Sequence, residues 1–276
     1  MSKTVLVATD DSPCARGAAA HATALAAALG GRVEALSVVD PAEFGGSAAG
    51  AAPELVERRA ARAHEEADAA VERVADGARA AGVPVETTVT EGRVRAALDE
   101  RLAAGDVDLV AVGTHGRTGL DRYLLGSVAA HLVRTSSVPV LVAHGEEPSL
   151  PTYETVVVPT DGSRHAARAA ALAAEVAGAD DGVVHALHAA DGRPSDPVAD
   201  VLARAEAAGV DGVEAIRDGA PIRVIEDYVD ETGADLVVMG THGRTGLDRR
   251  LVGSVTERAV RVLDAPVLSV YAGDGS

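Results

Sequence analysis

Short runs of aliphatic and β-branched residues alternate along this chain with longer stretches in which alanine and leucine recur at helical spacing. Runs of this length, bounded by Gly, Pro or Asp, predict strands, and the stretches between them predict helices. In the first part of the chain the predicted strands are Thr4 to Ala8, Arg32 to Val39, Pro84 to Thr90, Leu109 to Val112 and Val140 to Val142. Strands that alternate with helices are typical of βαβ units and of a mostly parallel sheet.

The first predicted helix has signals at both ends. Ser12 is a suitable N-cap, Pro13 suits the first helical position, and the Gly30-Gly31 pair ends the helix. A long amphipathic helix is predicted from Pro53 to Ala81, and its many Arg and Glu residues indicate a solvated face.

The same pattern occurs twice. The segment Thr4 to Asp10 matches Thr155 to Asp161, and the ten residues Gly113 to Arg122 are identical to Gly240 to Arg249. The second copy is shorter than the first, and nearly all of the loss lies between Asp191 and Val213, which correspond to Asp40 and Val85 in the first copy. Such a repeat predicts two similar structural units in one chain.

The segment between the copies, His144 to Pro151, contains two prolines and no apolar periodicity, which is typical of a linker. We therefore predict two domains, residues 1–145 and 152–276.

Charge and cysteine content narrow the function classes. Twenty-five basic against 42 acidic residues give a net charge of −17, which repels nucleic acid and anionic membranes. Lys3 is the only lysine, and this acidic, lysine-poor composition resembles cytoplasmic proteins of extreme halophiles. With Cys14 as the only cysteine, without a signal region and without a long apolar run, the chain is expected to be cytoplasmic.

A glycine-spaced motif, G-x2-G-x9-G-S, follows an apolar strand in each copy and ends where a helix begins. Its residues are Gly113, Gly116, Gly126 and Ser127, and again Gly240, Gly243, Gly253 and Ser254. Glycines let the backbone approach a phosphate closely, and the N–H groups at a helix start attract the anion. The motif therefore predicts a phosphate-binding loop at the carboxyl end of the sheet in each copy.

These residues, with the strand-then-Thr-Asp opening, resemble the ATP-binding branch of the universal stress protein family over essentially the whole chain. The resemblance implies an α/β fold of two tandem Rossmann-like domains, like the adenine nucleotide alpha hydrolases. Each domain would have a five-stranded parallel sheet flanked by helices. It further implies that the two domains pair through their last strands as an intramolecular pseudo-dimer.

The resemblance also implies a role for each matched position. Contacts to adenosine, with help in holding a divalent cation, are implied for Ala8, Thr9 and Asp10, and for Pro159, Thr160 and Asp161. Adenine contacts through the backbone are implied for Val38 and Ala189, and positions near the ribose for Gly113 and Gly240. Phosphate contacts are implied for Gly116, Gly126, Ser127 and Val128, and for Gly243, Gly253, Ser254 and Val255.

Each copy departs from the family at one place. Ala8 stands where proline is common, and the second copy has the shortened middle. Helix capping is the alternative role for Asp10 and Asp161, although Ser12 and Ser163 can cap instead. His115, Arg117, His242 and Arg244 lie in the motif loops, where each is a candidate to neutralise phosphate charge. For the two histidines, packing within the loop is the alternative. The extra segment Pro41 to Pro53, with the only phenylalanine, Phe44, is either a lid over the adenine of the first copy or disordered.

No Gly-Lys pair, Gly-x-Ser-x-Gly elbow or defensible carboxylate pair is present, so no catalytic or metal-ligating residue is assigned. The expected function is binding of ATP or another adenine nucleotide, with or without Mg²⁺, in a regulatory stress-response role. The alternatives are a slow metal-dependent ATP hydrolase or phosphotransferase and a nucleotide-free interaction module. Assembly into a homo-oligomer is a further possibility that the sequence does not decide.

The charge leads to a first prediction. The screening length is about 10 Å at 0.1 M salt and about 3 Å at 1 M, so low salt leaves the carboxylates repelling one another. Thermal melts should give a higher midpoint in 1 M than in 0.1 M KCl. Identical melts would contradict the halophilic interpretation.

Overall fold

The computed structural model describes residues 2–45, 53–114, 125–147, 149–190, 197–241 and 253–271. The elements of the first half are β1 (Thr4–Ala8), α1 (Pro13–Ala28), β2 (Arg32–Val39), α2 (Ala42–Gly45), α3 (Pro53–Ala80), β3 (Val85–Glu91), α4 (Val94–Ala103), β4 (Leu109–Gly113), α5 (Ser127–Thr135) and β5 (Val140–Ala143). Each predicted strand of this half is present within a residue or two of its expected bounds.

Over the described residues, the second half repeats this order with one helix fewer between its second and third strands. Its elements are β6 (Thr155–Pro159), α6 (Arg164–Ala177), β7 (Val183–Ala190), α7 (Val198–Ala207), β8 (Asp211–Asp218), α8 (Pro221–Thr232), β9 (Leu236–Gly240), α9 (Ser254–Val262) and β10 (Val267–Val270). The shortened middle of the second copy is therefore the replacement of the long α3 by the short α7.

The ten strands form one sheet in the order β3-β2-β1-β4-β5-β10-β9-β6-β7-β8. Pairing is parallel within each half, and the halves meet where β5 and β10 pair antiparallel, with Leu141 opposite Leu268. The hydroxyl of Ser269 donates a hydrogen bond to the carbonyl oxygen of Val140 at 3.1 Å across this junction. The expected pseudo-dimer through the last strands is confirmed.

Helices cover both faces of the sheet. One layer packs α1, α3, α6 and α7 on a core that includes Ala22, Leu25 and Ala173, and the other packs α4, α5, α8 and α9 on a core that includes Leu132 and Val229. The core consists largely of valine, leucine and alanine, as the scarcity of aromatic residues requires. Small alanine side chains let these helices approach the strands closely.

None of the helices that the structure describes combines the length and the apolar character needed to cross a membrane.

The segment leading into β6 inserts a side chain between the halves. Tyr153 is fully buried, and its hydroxyl donates to the carbonyl oxygen of His21 in α1 at 3.3 Å. The Nδ1 atom of His21 lies 3.1 Å from the same hydroxyl, and its Nε2 lies 3.6 Å from a carboxylate oxygen of Glu147. Because buried polar groups must find partners, this contact fixes the path of the linker along α1.

A second prediction concerns this buried histidine. Burial lowers the pKa of His21 from its usual value to about 4. Between about pH 6.5 and pH 4 the unfolded chain therefore binds a proton that the folded protein does not, and the free energy of unfolding falls as the pH falls. From pH 6.5 to pH 5 this loss amounts to at most about 2 kcal/mol. Above about pH 6.5 His21 is neutral in both the folded and the unfolded protein, so it no longer changes the free energy of unfolding with pH.

Urea unfolding at constant high salt would measure this loss, with His21→Asn as the comparison. Asparagine keeps a polar atom near the position of Nδ1 but cannot titrate, so its stability should depend less on pH. The carboxylates and the remaining histidines contribute the same pH dependence to the original protein and to His21→Asn. Equal pH dependence in the two proteins would show that His21 does not carry the effect.

Candidate functional site

Each half has a point where the chain leaves neighbouring strands toward opposite faces of the sheet. In the first half β1 and β4 are adjacent, with Leu6 opposite Val110, yet β1 leads to α1 on one face and β4 leads to α5 on the other. The strands β6 and β9 diverge in the same way, with Val157 opposite Val237. Ligands of parallel α/β sheets bind in the crevice that this divergence opens at the carboxyl ends of the strands.

The turn after β1 forms one wall of the first crevice. Thr9 is buried, and its hydroxyl accepts a hydrogen bond from the backbone N–H of Asp11 at 3.2 Å. The carboxylate of Asp10 accepts from the N–H of Ser12 at 3.0 Å. Ser12 in turn accepts from Ala15 N–H at 3.3 Å and caps α1. Ser12 therefore caps α1, and Asp10 stabilises the turn that precedes the helix.

The turn after β6 repeats this geometry. The hydroxyl of Thr160 accepts from the N–H of Gly162 at 3.1 Å, and the carboxylate of Asp161 accepts from the N–H of Ser163 at 3.0 Å. Ser163 caps α6 through the N–H of Ala166. The two candidate sites thus share the same backbone frame.

The helices across each crevice begin differently from α1 and α6. Gly126 and Gly253 are the N-caps of α5 and α9, and no side chain among the described residues caps either helix. Both glycines have φ −57°, with ψ 154° and 135°, a conformation open to any residue. Backbone freedom therefore does not explain these glycines. A glycine at the N-cap offers no side chain to the first N–H groups of the helix.

The ends of the glycine loops are held together. The N–H of Gly126 donates to the carbonyl oxygen of Thr114 at 2.6 Å, and the N–H of Gly253 bonds in the same way to Thr241. These bonds place the first turns of α5 and α9 beside the ends of β4 and β9. Ser127 and Ser254 are exposed there, and Val128 and Val255 are half-buried against the core.

Gly113 and Gly240 have a packing role that the sequence did not reveal. A Cβ on Gly113 would lie 2.6 Å from the carbonyl carbon of Cys14, and a Cβ on Gly240 would lie 2.7 Å from the Cβ of His165. The first turns of α1 and α6 therefore lie directly against the ends of β4 and β9. Cys14 packs there, with its sulfur 3.5 Å from the hydroxyl of Thr114.

The residues expected at the adenosine end lie on one face. Ala8 and Val38, at the ends of β1 and β2, are half-buried against the core on the α5 side of the sheet. Ala189 has the corresponding place in the second half, and the half-buried Pro159 ends β6 opposite Leu187 of the neighbouring strand. The structure thus brings these positions to the face on which the uncapped helices begin.

Several expected residues lie outside the described part of the chain. They are Gly116, Gly243, His115, Arg117, His242 and Arg244, together with residues 46–52 and the side chain of Phe44 in the expected lid. Within the described ranges, no group of three or more His, Cys, Asp and Glu side chains is arranged to hold a metal ion.

Sequence reasoning passed over Asp11. It has a left-handed backbone, with φ 62°, at the position that Gly162 occupies in the second half with φ 73°. The signal was available in the repeat, because an aspartate that aligns with a glycine indicates a left-handed position.

The comparisons with known proteins all point to one family. The family described as the universal stress protein family matches residues 1–144, 152–207 and 199–270. A universal stress protein of Methanocaldococcus jannaschii is 35% identical over 139 residues, which are 43% of this chain and 82% of the relative.

Two solved structures extend the comparison. The crystal structure of a universal stress protein from Archaeoglobus fulgidus covers 99% of this chain and 100% of its own, with a TM-score of 0.75 and 22% identity, and shows the fold. Another universal stress protein, solved in complex with cAMP, is 35% identical over 44% of this chain and 98% of its own, with a TM-score of 0.39.

The packing role of the strand-end glycines gives a third prediction. Gly240→Ala should lower the free energy of unfolding by about 1 to 3 kcal/mol, because the new methyl group overlaps backbone and Cβ atoms of α6. Gly77→Ala is the matched control, because Gly77 is exposed in α3 and its Cβ would meet no atom within 4 Å. That control should gain about 0.5 to 1 kcal/mol. Urea unfolding measures both, and a neutral Gly240→Ala would refute the close packing.

Proposed function

Since the chain belongs to the universal stress protein family, we propose that each half binds ATP, with or without Mg²⁺. The site is the crevice where β1 and β4, or β6 and β9, lead to opposite faces of the sheet. In this proposal the protein is a nucleotide-dependent regulator of a stress response. The proposed binding units are residues 1–145 and 152–276, and the proposed setting is the cytoplasm.

The observation that carries the proposal is the contrast between capped and uncapped helices at each crevice. Ser12 and Ser163 satisfy N–H groups of α1 and α6, whereas α5 and α9 begin on bare glycines. The N-terminus of a helix carries about half a positive charge. In a chain of net charge −17, such a local positive end is what a phosphate group requires.

The triphosphate is therefore assigned to the first turns of α5 and α9. Gly126, Ser127 and Val128 would supply N–H groups and a hydroxyl in the first half, and Gly253, Ser254 and Val255 would do so in the second. Gly116 and Gly243 belong to the same proposed phosphate loops.

The adenosine is assigned to the strand ends next to these helices. Thr9 and Asp10 lie in the turn that borders the crevice, and Val38 would present backbone groups to the adenine. Thr160, Asp161 and Ala189 would do the same in the second half. The packing of Gly113 and Gly240 brings each turn close to the phosphate loop, which supports a ligand that spans both.

The proposal predicts that the purified protein releases ATP when it is denatured. ADP in place of ATP would favour slow hydrolysis, and the absence of any nucleotide would favour an interaction module.

The sharper test fills the uncapped helix ends. In Gly126→Asp and Gly253→Asp the new carboxylate caps the helix and occupies the place proposed for phosphate. Each variant should lose at least about tenfold in ATP affinity at its own half while its stability holds or rises by about 0.5 to 2 kcal/mol. Calorimetric titration with MgATP and thermal melts measure the two effects.

Two controls separate phosphate competition from charge. Ala220→Asp adds the same charge and the same type of N-cap to α8, which begins after the edge strand β8 rather than after β9, and should leave ATP affinity unchanged. Gly126→Asn caps α5 without a charge and should weaken binding less than Gly126→Asp. Unchanged affinity in both aspartate variants would overturn the proposed phosphate site.

A further inference from the structure

The two crevices differ in how their first turn is held. The turns Thr9–Ser12 and Thr160–Ser163 make the same internal hydrogen bonds, and both have a left-handed third residue. That residue is Asp11 in the first half and Gly162 in the second. Glycine adopts this conformation at little cost, whereas aspartate has a Cβ that opposes it.

Ion pairs accompany the aspartate. The carboxylate of Asp11 forms an ion pair with Arg73 of α3 and lies 3.5 Å from the guanidinium of Arg16 in α1. Arg16 also donates a hydrogen bond to the backbone carbonyl oxygen of Asp11 at 2.6 Å. Two helices thus hold both the side chain and the main chain of this one residue.

The linker between the halves extends the contact. Arg16 donates two further hydrogen bonds to the carboxylate of Glu146, at 2.9 and 3.0 Å. These bonds lower the pKa of Glu146, so its carboxylate is ionised throughout the neutral range. Asp11, Arg16, Arg73 and Glu146 together form a turn brace.

Among the residues that the structure describes, the second half shows no counterpart of this brace. Gly162 has no side chain, and the residue at the position of Arg16 is Ala167. Arg73 lies in the long helix α3, which the short α7 replaces. A turn of the same shape therefore depends on ion pairs in one half and on glycine in the other.

We propose that the turn brace positions the turn Thr9–Ser12 for nucleotide binding, and that it makes the affinity of the first half fall with ionic strength relative to that of the second. Asp11, Arg16 and Arg73 are positioning residues in this sense, since they act through the turn. The inference rests on the proposed function, because it concerns regulation of the same crevice.

The solvent exposure of the ion-paired side chains determines how strongly salt should change the affinity. The side chains of Asp11, Arg16 and Arg73 are 28%, 32% and 53% exposed, so salt reaches the ion pairs and screens them. A turn that is held in its bound shape costs less to order on binding, and loosening it raises the dissociation constant. For exposed pairs of this kind we expect a relative change of roughly two- to tenfold.

The experiment measures each half separately within the full chain. Gly253→Asp leaves the first half for binding and Gly126→Asp leaves the second. A ribose-labelled fluorescent ATP with Mg²⁺ is titrated from about 0.1 M to 1 M KCl, within the salt range in which circular dichroism shows an unchanged fold. The general field of the acidic chain acts on both halves, so the ratio of the two dissociation constants isolates the brace.

The prediction is tested with variants of the first half. Asp11→Gly gives the first turn the glycine that the second half has. Both Asp11→Gly and Arg73→Ala should remove the difference in salt dependence between the two halves. Arg73→Lys should retain part of that difference. Arg79→Ala is the matched control, because Arg79 lies on the same helix but pairs with Glu72 and Asp76, and it should have no effect. Amide hydrogen exchange at residues 10–12 without nucleotide should be faster in Arg73→Ala than in Arg79→Ala.

The outcomes separate the two proposals. If both halves bind the nucleotide with the same salt dependence, or if Arg73→Ala behaves like Arg79→Ala, the brace is overturned and the proposed function stands. If neither half binds the nucleotide at any salt concentration, the proposed function is overturned and the inference with it. Equal melting temperatures of Arg73→Ala and Arg79→Ala, with different affinities, would support positioning over a general loss of stability.

Discussion

The antiparallel pairing of β5 with β10 determines the arrangement of the whole molecule. It joins two parallel five-stranded sheets into one, and it buries the last strand of each half at the centre. Because the strands of the two halves run in opposite directions, their carboxyl ends lie at opposite edges of the common sheet. The two crevices therefore face away from each other, and the wall residues that the structure describes belong in each case to the same half.

Within each half, close packing at a single glycine connects the core to the crevice. Gly113 and Gly240 end the strands on which the motif loops begin, and they lie against the first turns of α1 and α6. The same helices are capped by serines, whereas the helices on the other side start on glycine. Two helix ends of different chemistry thus meet at one point, one capped by a serine side chain and one that starts on glycine.

The duplication is not symmetrical in its electrostatics. The first half keeps the long helix α3, and with it Arg73, which contacts the turn after β1. The second half has the short α7 and a glycine in that turn. A difference that reads in the sequence as a deletion far from the motif is therefore, in three dimensions, a difference at the wall of the crevice.

The sequence by itself determined the strand and helix pattern, the repeat, the caps Ser12 and Ser163 and the place of the glycine motif. Each of these depends on periodicity or on contacts within a few residues, which the order of amino acids states directly. Only the tertiary structure showed that Gly113 packs against Cys14, that Tyr153 is buried beside His21, and that Arg73 holds Asp11. These contacts join residues that are far apart along the chain, and the sheet topology and helix packing decide which distant side chains meet.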